Sequence, residues 1–259
     1  MRIVVLLKAV PVVGTERLTD AWCLDRSSGL EANGNDEYVL EAALKLVEAH
    51  GGEVLTLSMG PAASTEAIRK ALAMGAARAV HVVDPALAGS DALATGRVLA
   101  AALARLSFDL VVAGADTSDG QGGVVGAAVA TRLGLPYLSY AAAIEPDPGA
   151  GTVRVRRLGP GGYDVIEAPM PALVAGTQLL GEPRYPSLRG IMQARSREIA
   201  IWSLADLGID PATVGSLASG TVVLEATPPP QRAGAIVVRE APDVAAQRIV
   251  EFMESRRLL

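Results

Sequence analysis

Short apolar runs rich in β-branched residues recur along the first half of the chain, each followed by a segment with helical periodicity. "RIVVLLKAV" (residues 2–10) precedes a loop through Gly29 and Asn33, and then "DEYVLEAALKLVEAH" (36–50) reads as a helix ended by Gly51 and Gly52. "EVLTLSM" (53–59) stops at Gly60 and Pro61. Ser64 and Thr65 are placed to cap a helix with Ile68 and Leu72 on one face. "RAVHVV" (78–83), a helix opened by Ser90, "DLVVAG" (109–114) and a small-residue helix from Gly122 to Leu133 continue the series. Strands apolar along their whole length belong in a sheet covered on both faces. The alternation therefore predicts an α/β fold, a doubly wound and mainly parallel sheet joined by right-handed crossovers.

The pattern changes after Pro136. "TVRVRRL" (152–158) and "YDVIEA" (163–168) flank "GPGG" as a β-hairpin, and "ALVAGT" (172–177) returns as a strand. Beyond Glu182 clear periodicity is lost, and Pro183 and Pro186 rule out a continuous helix there. "TPPPQR" (227–232) reads as a rigid linker before a terminal amphipathic helix over 241–259. The expected organisation is an α/β nucleotide-binding domain over 1–181, a partner recognition loop over 182–201, and a C-terminal arm and helix over 202–259.

Half of the residues are hydrophobic but only 3% are aromatic, which suits helices of small residues packed closely on a sheet. A formal net charge of −5 argues against a general nucleic-acid binder, because phosphate backbones need a cationic surface. Cys23 is the single cysteine, so no internal disulfide forms and a reducing compartment is expected. Lys8 and Pro11 interrupt the N-terminal apolar run and no small-residue cleavage site follows, so it reads as a buried strand rather than a signal peptide. No apolar run approaches the roughly 20 residues that span a bilayer. These features predict a soluble, cytoplasmic protein without direct membrane insertion.

In doubly wound sheets, ligands bind beyond the carboxyl ends of the strands where strand order reverses. "GADTSDGQGGVVGAAVA" (114–130) has that position. A strand ends at Gly114, a loop of Asp, Ser and Gly follows, and a helix begins. Glycines admit close backbone approach, exposed N–H groups can receive a phosphate, and Thr117 and Ser118 add hydroxyls. The loop matches neither G-x-G-x-x-G nor G-x-x-x-x-G-K-[ST], so an ordinary β–α connection stays open beside a phosphate or nucleotide site. Asn33 and Asp36 read either as N-cap residues or as site residues. "SMGP" (58–61) reads as a turn that can wall a pocket. His81 falls inside a strand and reads as a core residue. Cys23 has no histidine near it in sequence, and metal-ligand spacing is absent. A nucleotide-type loop without an acid–base set points to a binding subunit rather than a complete catalyst.

"NGNDE" (33–37), "SMGP", "GADTSDGQGGVVG" (114–126) and "EPRYPSLRGIMQARSREI" (182–199) together make the chain similar to the β subunit of electron-transfer flavoprotein. "ALAMGA" (71–76), "LADLGID" (204–210) and "TPPPQRAG" (227–234) support the resemblance, which runs the length of the chain. It implies an adenine-nucleotide hydrolase-like fold and a heterodimer whose α subunit holds most of the FAD contacts. It also implies one structural AMP against Leu6, Asn33, Gly34, Asn35, Asp36, Met59 and the loop formed by Gly114, Asp116, Thr117, Ser118 and Asp119. Gly120, Gln121, Gly122 and Gly123 would supply the phosphate cradle. Many relatives carry a hydroxyl residue where Gly122 stands, so one phosphate contact is expected to be missing. Some relatives bind a second FAD in this place and bifurcate electrons. The segment matching "YPSLRGIM" would be a recognition loop, with Leu188 as anchor and Arg189, Ile191 and Met192 around it. The arginines at 184, 189, 195 and 197 would steer encounter. Implied partners are acyl-CoA or related dehydrogenases as donors and a membrane quinone oxidoreductase as acceptor. A stand-alone nucleotide-binding protein of the universal-stress type is the alternative, and a nucleotide-dependent enzyme is a third class.

Overall fold

The computed structural model of the protein describes residues 1–27, 29–227, 237 and 239–259. These form two units, residues 1–223 and residues 224–259.

In the first unit, β1 (Arg2–Leu6), β4 (Glu53–Met59), β5 (Arg78–Val82) and β6 (Leu110–Gly114) are the strands expected from the apolar runs. They alternate with α1 (Gly34–His50), α2 (Thr65–Met74), α3 (Ala92–Leu103) and α4 (Val125–Leu133). A small antiparallel pair, β2 (Ala9–Pro11) and β3 (Leu30–Ala32), stands beside the main sheet. The chain then forms β7 (Tyr137–Asp147), β8 (Thr152–Gly159), β9 (Gly162–Pro169) and β10 (Ala172–Gly176), followed by α5 (Leu188–Ser196), β11 (Ile199–Trp202) and α6 (Leu204–Leu207). The nine strands of the main sheet lie in the order β11-β5-β4-β1-β6-β10-β7-β8-β9. All pairings are parallel except β7 with β8 and β8 with β9.

Both faces of the parallel part of the sheet are largely apolar and covered. Ile3, Val5 and Val54 meet Val39 and Leu40 of α1, Ile68 and Leu72 of α2, and Ala194 of α5. On the other face, Val4, Leu55 and Leu57 meet Val98, Leu99 and Leu103 of α3, Val129 of α4 and Leu204 of α6. Each such Val, Leu or Ile contributes roughly 1.5–3 kcal/mol on burial. Two apolar layers thus hold the helices in place. His81 is fully buried, paired in register with Ser58, and burial holds its imidazole below the usual histidine range.

Several elements differ from the sequence expectations. The first run is broken after Leu6. Leu7 N–H still joins the carbonyl of Leu57, but Lys8 N–H donates to the Asp36 carboxylate, and the chain leaves the sheet to form β2. β7 carries "YLSYAAAIEPD", whose Ala run lacks the β-branched signature of a strand. It extends the expected hairpin to a three-stranded meander, and β10 inserts between β6 and β7. Residues 182–201, expected as a loop, hold α5 and most of β11. Ser187 caps α5 by accepting from Gly190 N–H at 3.0 Å. The expected boundary after residue 201 falls within β11 and therefore within one compact unit. Leu204, Leu207 and Val214 are buried in the same core, and the division lies after Val223. Residues 228–232 of the expected linker lie outside the described residues.

The second unit contains α7 (Pro242–Ser255), as the amphipathic pattern predicts. Ala245, Ile249, Phe252 and Met253 recur at helical spacing, and Ile249 and Phe252 are exposed. Among the described residues no helix is long and apolar enough to cross a membrane.

Candidate functional site

The chain leaves β1 toward β4 and β5 on one side and returns to β6 on the other, so strand order reverses between β1 and β6. Leu6 and Gly114 end these two strands, and Met59 ends β4 beside β1. The residues expected to bind a nucleotide converge here. Asn33 stands at the N-cap position of α1, yet its side chain makes no cap bond. Buried to 1% exposure, it spans to the loop after β6, donating to the carbonyl of Asp116 at 3.0 Å and accepting from Ser118 N–H at 3.1 Å. Asn35 donates to the Asp116 carboxylate. Asn33 therefore fixes the path of the glycine-rich loop with its side chain rather than capping α1 with it.

Asp36 lies beneath this junction at 4% exposure and accepts Lys8 N–H at 2.7 Å. Burial pushes its carboxyl up to about 7, against hydrogen bonds from Lys8 N–H, Asn33 and the Gly114 backbone. Gly114 makes this seating possible. A Cβ there would stand 2.4 Å from Asp36 Oδ1 and 2.9 Å from Asn35 Cβ.

The loop itself is held by groups that the sequence patterns do not single out. Lys8 Nζ donates to Asp119 Oδ1 at 2.8 Å and to Thr117 Oγ1 at 3.3 Å. Arg26 pairs with the other oxygen of Asp119 and donates to the carbonyl of Ala9 at 2.9 Å. Burial alone would raise the Asp119 carboxyl, but hydrogen bonds from Lys8, Thr117 and Arg26 prevail and hold it well below the usual carboxylate range. Lys8, a lone cation closing an apolar strand, was the one available signal; Arg26 carries none.

Beyond Asp119, residues 120–123 are exposed, and α4 begins only at Val125. Gln121 and Gly123 adopt positive φ angles of 46° and 61°. Alternation between left-handed and ordinary backbone turns successive N–H groups toward one side, the geometry of an anion-binding nest. A Cβ at Gly122 would meet nothing closer than the Gly120 carbonyl at 3.9 Å, so the space over the loop is open. Gly120 N–H donates to Asp119 Oδ1 and Gln121 N–H to the Thr117 carbonyl, which leaves the N–H groups of Gly122 and Gly123 beside the strand-order reversal for an anion.

The second candidate surface is α5. Its inner side lies against α2: a Cβ at Gly190 would stand 2.4 Å from the Ala73 carbonyl, and Ala194 is buried. Arg69 of α2 donates to the carbonyls of Ala194 and Arg197, and Arg197 donates to that of Ala76. At the other end, Arg184 pairs with Glu41 and Glu48 of α1. Arg184 and Arg197 are therefore structural rather than available for steering, which corrects the expectation for these two; Arg189 and Arg195 are exposed. The outer side presents Leu188, Ile191 and Met192, with Leu188 76% and Met192 66% exposed. Cys23 is exposed.

Comparison with known proteins gives consistent matches over this architecture. An electron transfer flavoprotein domain matches residues 21–207. The β subunit of electron transfer flavoprotein from Mycobacterium leprae is 37% identical over 99% of both chains. That of Thermoanaerobacterium thermosaccharolyticum is 35% identical over the full length of both. The caffeyl-CoA reductase-Etf complex subunit CarD of Acetobacterium woodii is 36% identical over 90% of each chain.

Proposed function

The chain belongs to the electron transfer flavoprotein β-subunit family, and from that premise we propose that it is the non-catalytic half of a heterodimeric carrier docking to dehydrogenases through α5. Membership itself places the chain in electron transfer, in a flavoprotein, beside an α subunit. In the finer reading, FAD is held mostly by that subunit and supplies the redox chemistry. This chain holds a structural AMP, with Asn33, Asn35 and Asp36 fixing the loop and the N–H groups of Gly122 and Gly123 receiving the phosphate. The donors are acyl-CoA or related dehydrogenases, and electrons leave to a membrane quinone oxidoreductase. Residues beyond Val223, with Leu224, Ile249 and Phe252 exposed, provide apolar surface for an arm on the α subunit.

The observation that carries the docking role is α5. A short helix tethered from α1 and α2 presents Leu188 and Met192 outward, the form of a small anchor for transient association. Purification with the α subunit, followed by denaturing release and chromatography of the nucleotides, tests the cofactor assignment. FAD and AMP in equal amounts are expected. Two FAD per heterodimer would move the site to the bifurcating type. Stoichiometric FAD on the isolated β chain would overturn the division of labour between the subunits.

A further inference from the structure

The amino ends of the strands carry a concentration of charge at the opposite edge of the sheet from the glycine-rich loop. Alternation along each strand puts Arg2 on the same face as Val4, Glu53 with Leu55, and Arg78 with Val80, and these apolar residues pack in the layer beneath α3. The register sets Arg2 opposite Glu53 and Arg78 opposite Leu55. The chain leaving α3 brings Arg105, Leu106 and Ser107 to the same place, and together these residues line a cavity of about 240 Å³. Three guanidiniums meet one carboxylate here. Arg78 pairs with Glu53 at 2.5 Å. Among the described residues, neither the Arg2 nor the Arg105 guanidinium has an ion-pair or hydrogen-bond partner, and the Ser107 hydroxyl has none either. The end of α3 does not engage them, because the carbonyls of Ala100, Ala102 and Leu103 accept the N–H groups of Ala104, Arg105 and Leu106. Hydrogen bonds from Ser203 hold the Asp206 carboxyl low, with Arg105 adding only a minor pull and no ion pair. Asp109 accepts Arg2 N–H at 2.6 Å and lines a different cavity. An unpaired guanidinium is a fork of donors that matches phosphate oxygens in both geometry and charge.

We propose that this cavity is a ligand site of its own, which takes a phosphate dianion, free or as the head of a small phosphate ester, with Arg2, Arg105 and Ser107 as its donors. Two uncommitted cations match the charge of a dianion. The volume lies below the roughly 300–1,000 Å³ of sites for drug-sized ligands, so it suits a phosphate with a small organic group attached. Val4, Leu55 and Leu106 give such a group an apolar lining. Glu53 opposes any anion and keeps Arg78 occupied, which holds the affinity to a modest value. β1 rises roughly 13 Å from Arg2 to Leu6, so the cavity stands apart from the loop after β6 and depends on no nucleotide there.

The test is isothermal titration of the full chain, assembled with its α subunit, with inorganic phosphate and with glycerol 3-phosphate; glycerol is the uncharged control. Saturable binding in the millimolar range or below is expected for the phosphates and none for glycerol. Equal affinities would assign the site to free phosphate, and tighter binding of the ester would assign the apolar lining to its organic part. Arg2→Gln and Arg105→Gln remove guanidiniums without partners, so both variants should keep the wild-type melting temperature while binding weakens at least about tenfold in each. Their nucleotide content after denaturing release should equal that of the wild type, since neither residue lies near the loop after β6. Glu53→Gln should act in the opposite direction, tightening binding by releasing Arg78 and removing the opposing charge. Binding of the ester should also fall below about pH 6, where a phosphate ester takes up its second proton. No saturable heat from either phosphate, as much heat from glycerol as from its phosphate, or equal affinity in the wild type and both arginine variants would overturn the site and leave the arginines as a solvated edge of the sheet.

Discussion

Arg184 Nε donates to Oε2 of Glu41 across 2.7 Å, and Arg184 N–H reaches the same oxygen at 3.1 Å, so one buried carboxylate on α1 fixes both backbone and side chain of the segment leading to α5. A second carboxylate, Glu48, takes the far side of the guanidinium at 2.6 Å. The Glu41 side chain is 4% exposed, and with Arg184 gone it keeps only Lys45, at 3.5 Å. Arg184→Ala should lower stability by about 1–3 kcal/mol in urea unfolding at neutral pH, the range for hydrogen bonds to charged groups. Arg184→Lys should recover only part of it, since an ammonium cannot fork between two carboxylates. Burial would raise Glu41, but Arg184 outweighs it and holds the carboxyl low. A depressed carboxyl stabilises the fold above its unfolded value and loses that contribution as pH falls through the folded one. The variant's deficit should therefore shrink in acid; a deficit unchanged from pH 7 to pH 3 would show that the pair is not its cause.

Leu188→Ala separates docking from folding. At 76% exposure the side chain contributes little to the core, so stability should change by less than about 0.5 kcal/mol. Dehydrogenase-dependent flavin reduction should weaken by about 1–3 kcal/mol in coupling, as expected for a lost hot-spot contact. Gly190→Val, on the opposite side of the same helix, should do the reverse at the level of the fold. Its Cβ would collide with the Ala73 carbonyl, and α5 must move or unfold. A large fall in melting temperature for Leu188→Ala with normal coupling would show that the leucine is core.

The contrast explains why the sheet was legible in the sequence and α5 was not. β1, β4, β5 and β6 are buried on both faces, so their sequences are mainly apolar whatever packs on them, with Thr56, Ser58 and His81 as the buried polar exceptions. α5 buries only Ala194 fully and turns Leu188, Ile191 and Met192 outward, so its apolar residues mark the surface rather than the core. The glycine-rich loop was visible by composition, and Asn33 and Asp36 by position. The ionic lock was not. Lys8 and Asp119 are 111 residues apart, Arg26 and Asp119 are 93 apart, and no local periodicity records either meeting.

Gly123→Val should empty the nucleotide site. Gly123 has φ 61°, where a β-branched side chain is strained, and its Cβ would stand 3.4 Å from the Ala115 carbonyl. The local cost of roughly 1–3 kcal/mol would be relieved by rearranging the loop, with the nest as the casualty. Gly122→Ser is the control: its Cβ meets open space, and a hydroxyl there should keep AMP or tighten its retention. Unchanged AMP content in Gly123→Val, measured after denaturing release, would count against placing the phosphate on this loop.

Asp36 gives the site a pH signature of unusual sign for a carboxylate. Burial raises it from 3.8 to about 7, so between those values the folded chain keeps a proton that the unfolded chain has released. Stability from this group is present in full below about pH 4 and falls as pH rises to about 7, where the loss levels off. From the size of the shift the total is about 4 kcal/mol. His81 works in the opposite direction: burial holds it below its ordinary value, so its contribution is present above that value and lost as pH falls toward the folded one. The two overlap in raw titrations, so the informative quantity is the difference between wild type and Asp36→Asn at each pH. An amide keeps an oxygen for Lys8 N–H and carries no charge to bury. The variant should match the wild type near pH 4 and become progressively more stable than it toward pH 8. A constant difference across that range, followed by urea unfolding of the full chain, would mean that Asp36 does not titrate on folding and that the junction beneath the loop is ionised at all of these pH values.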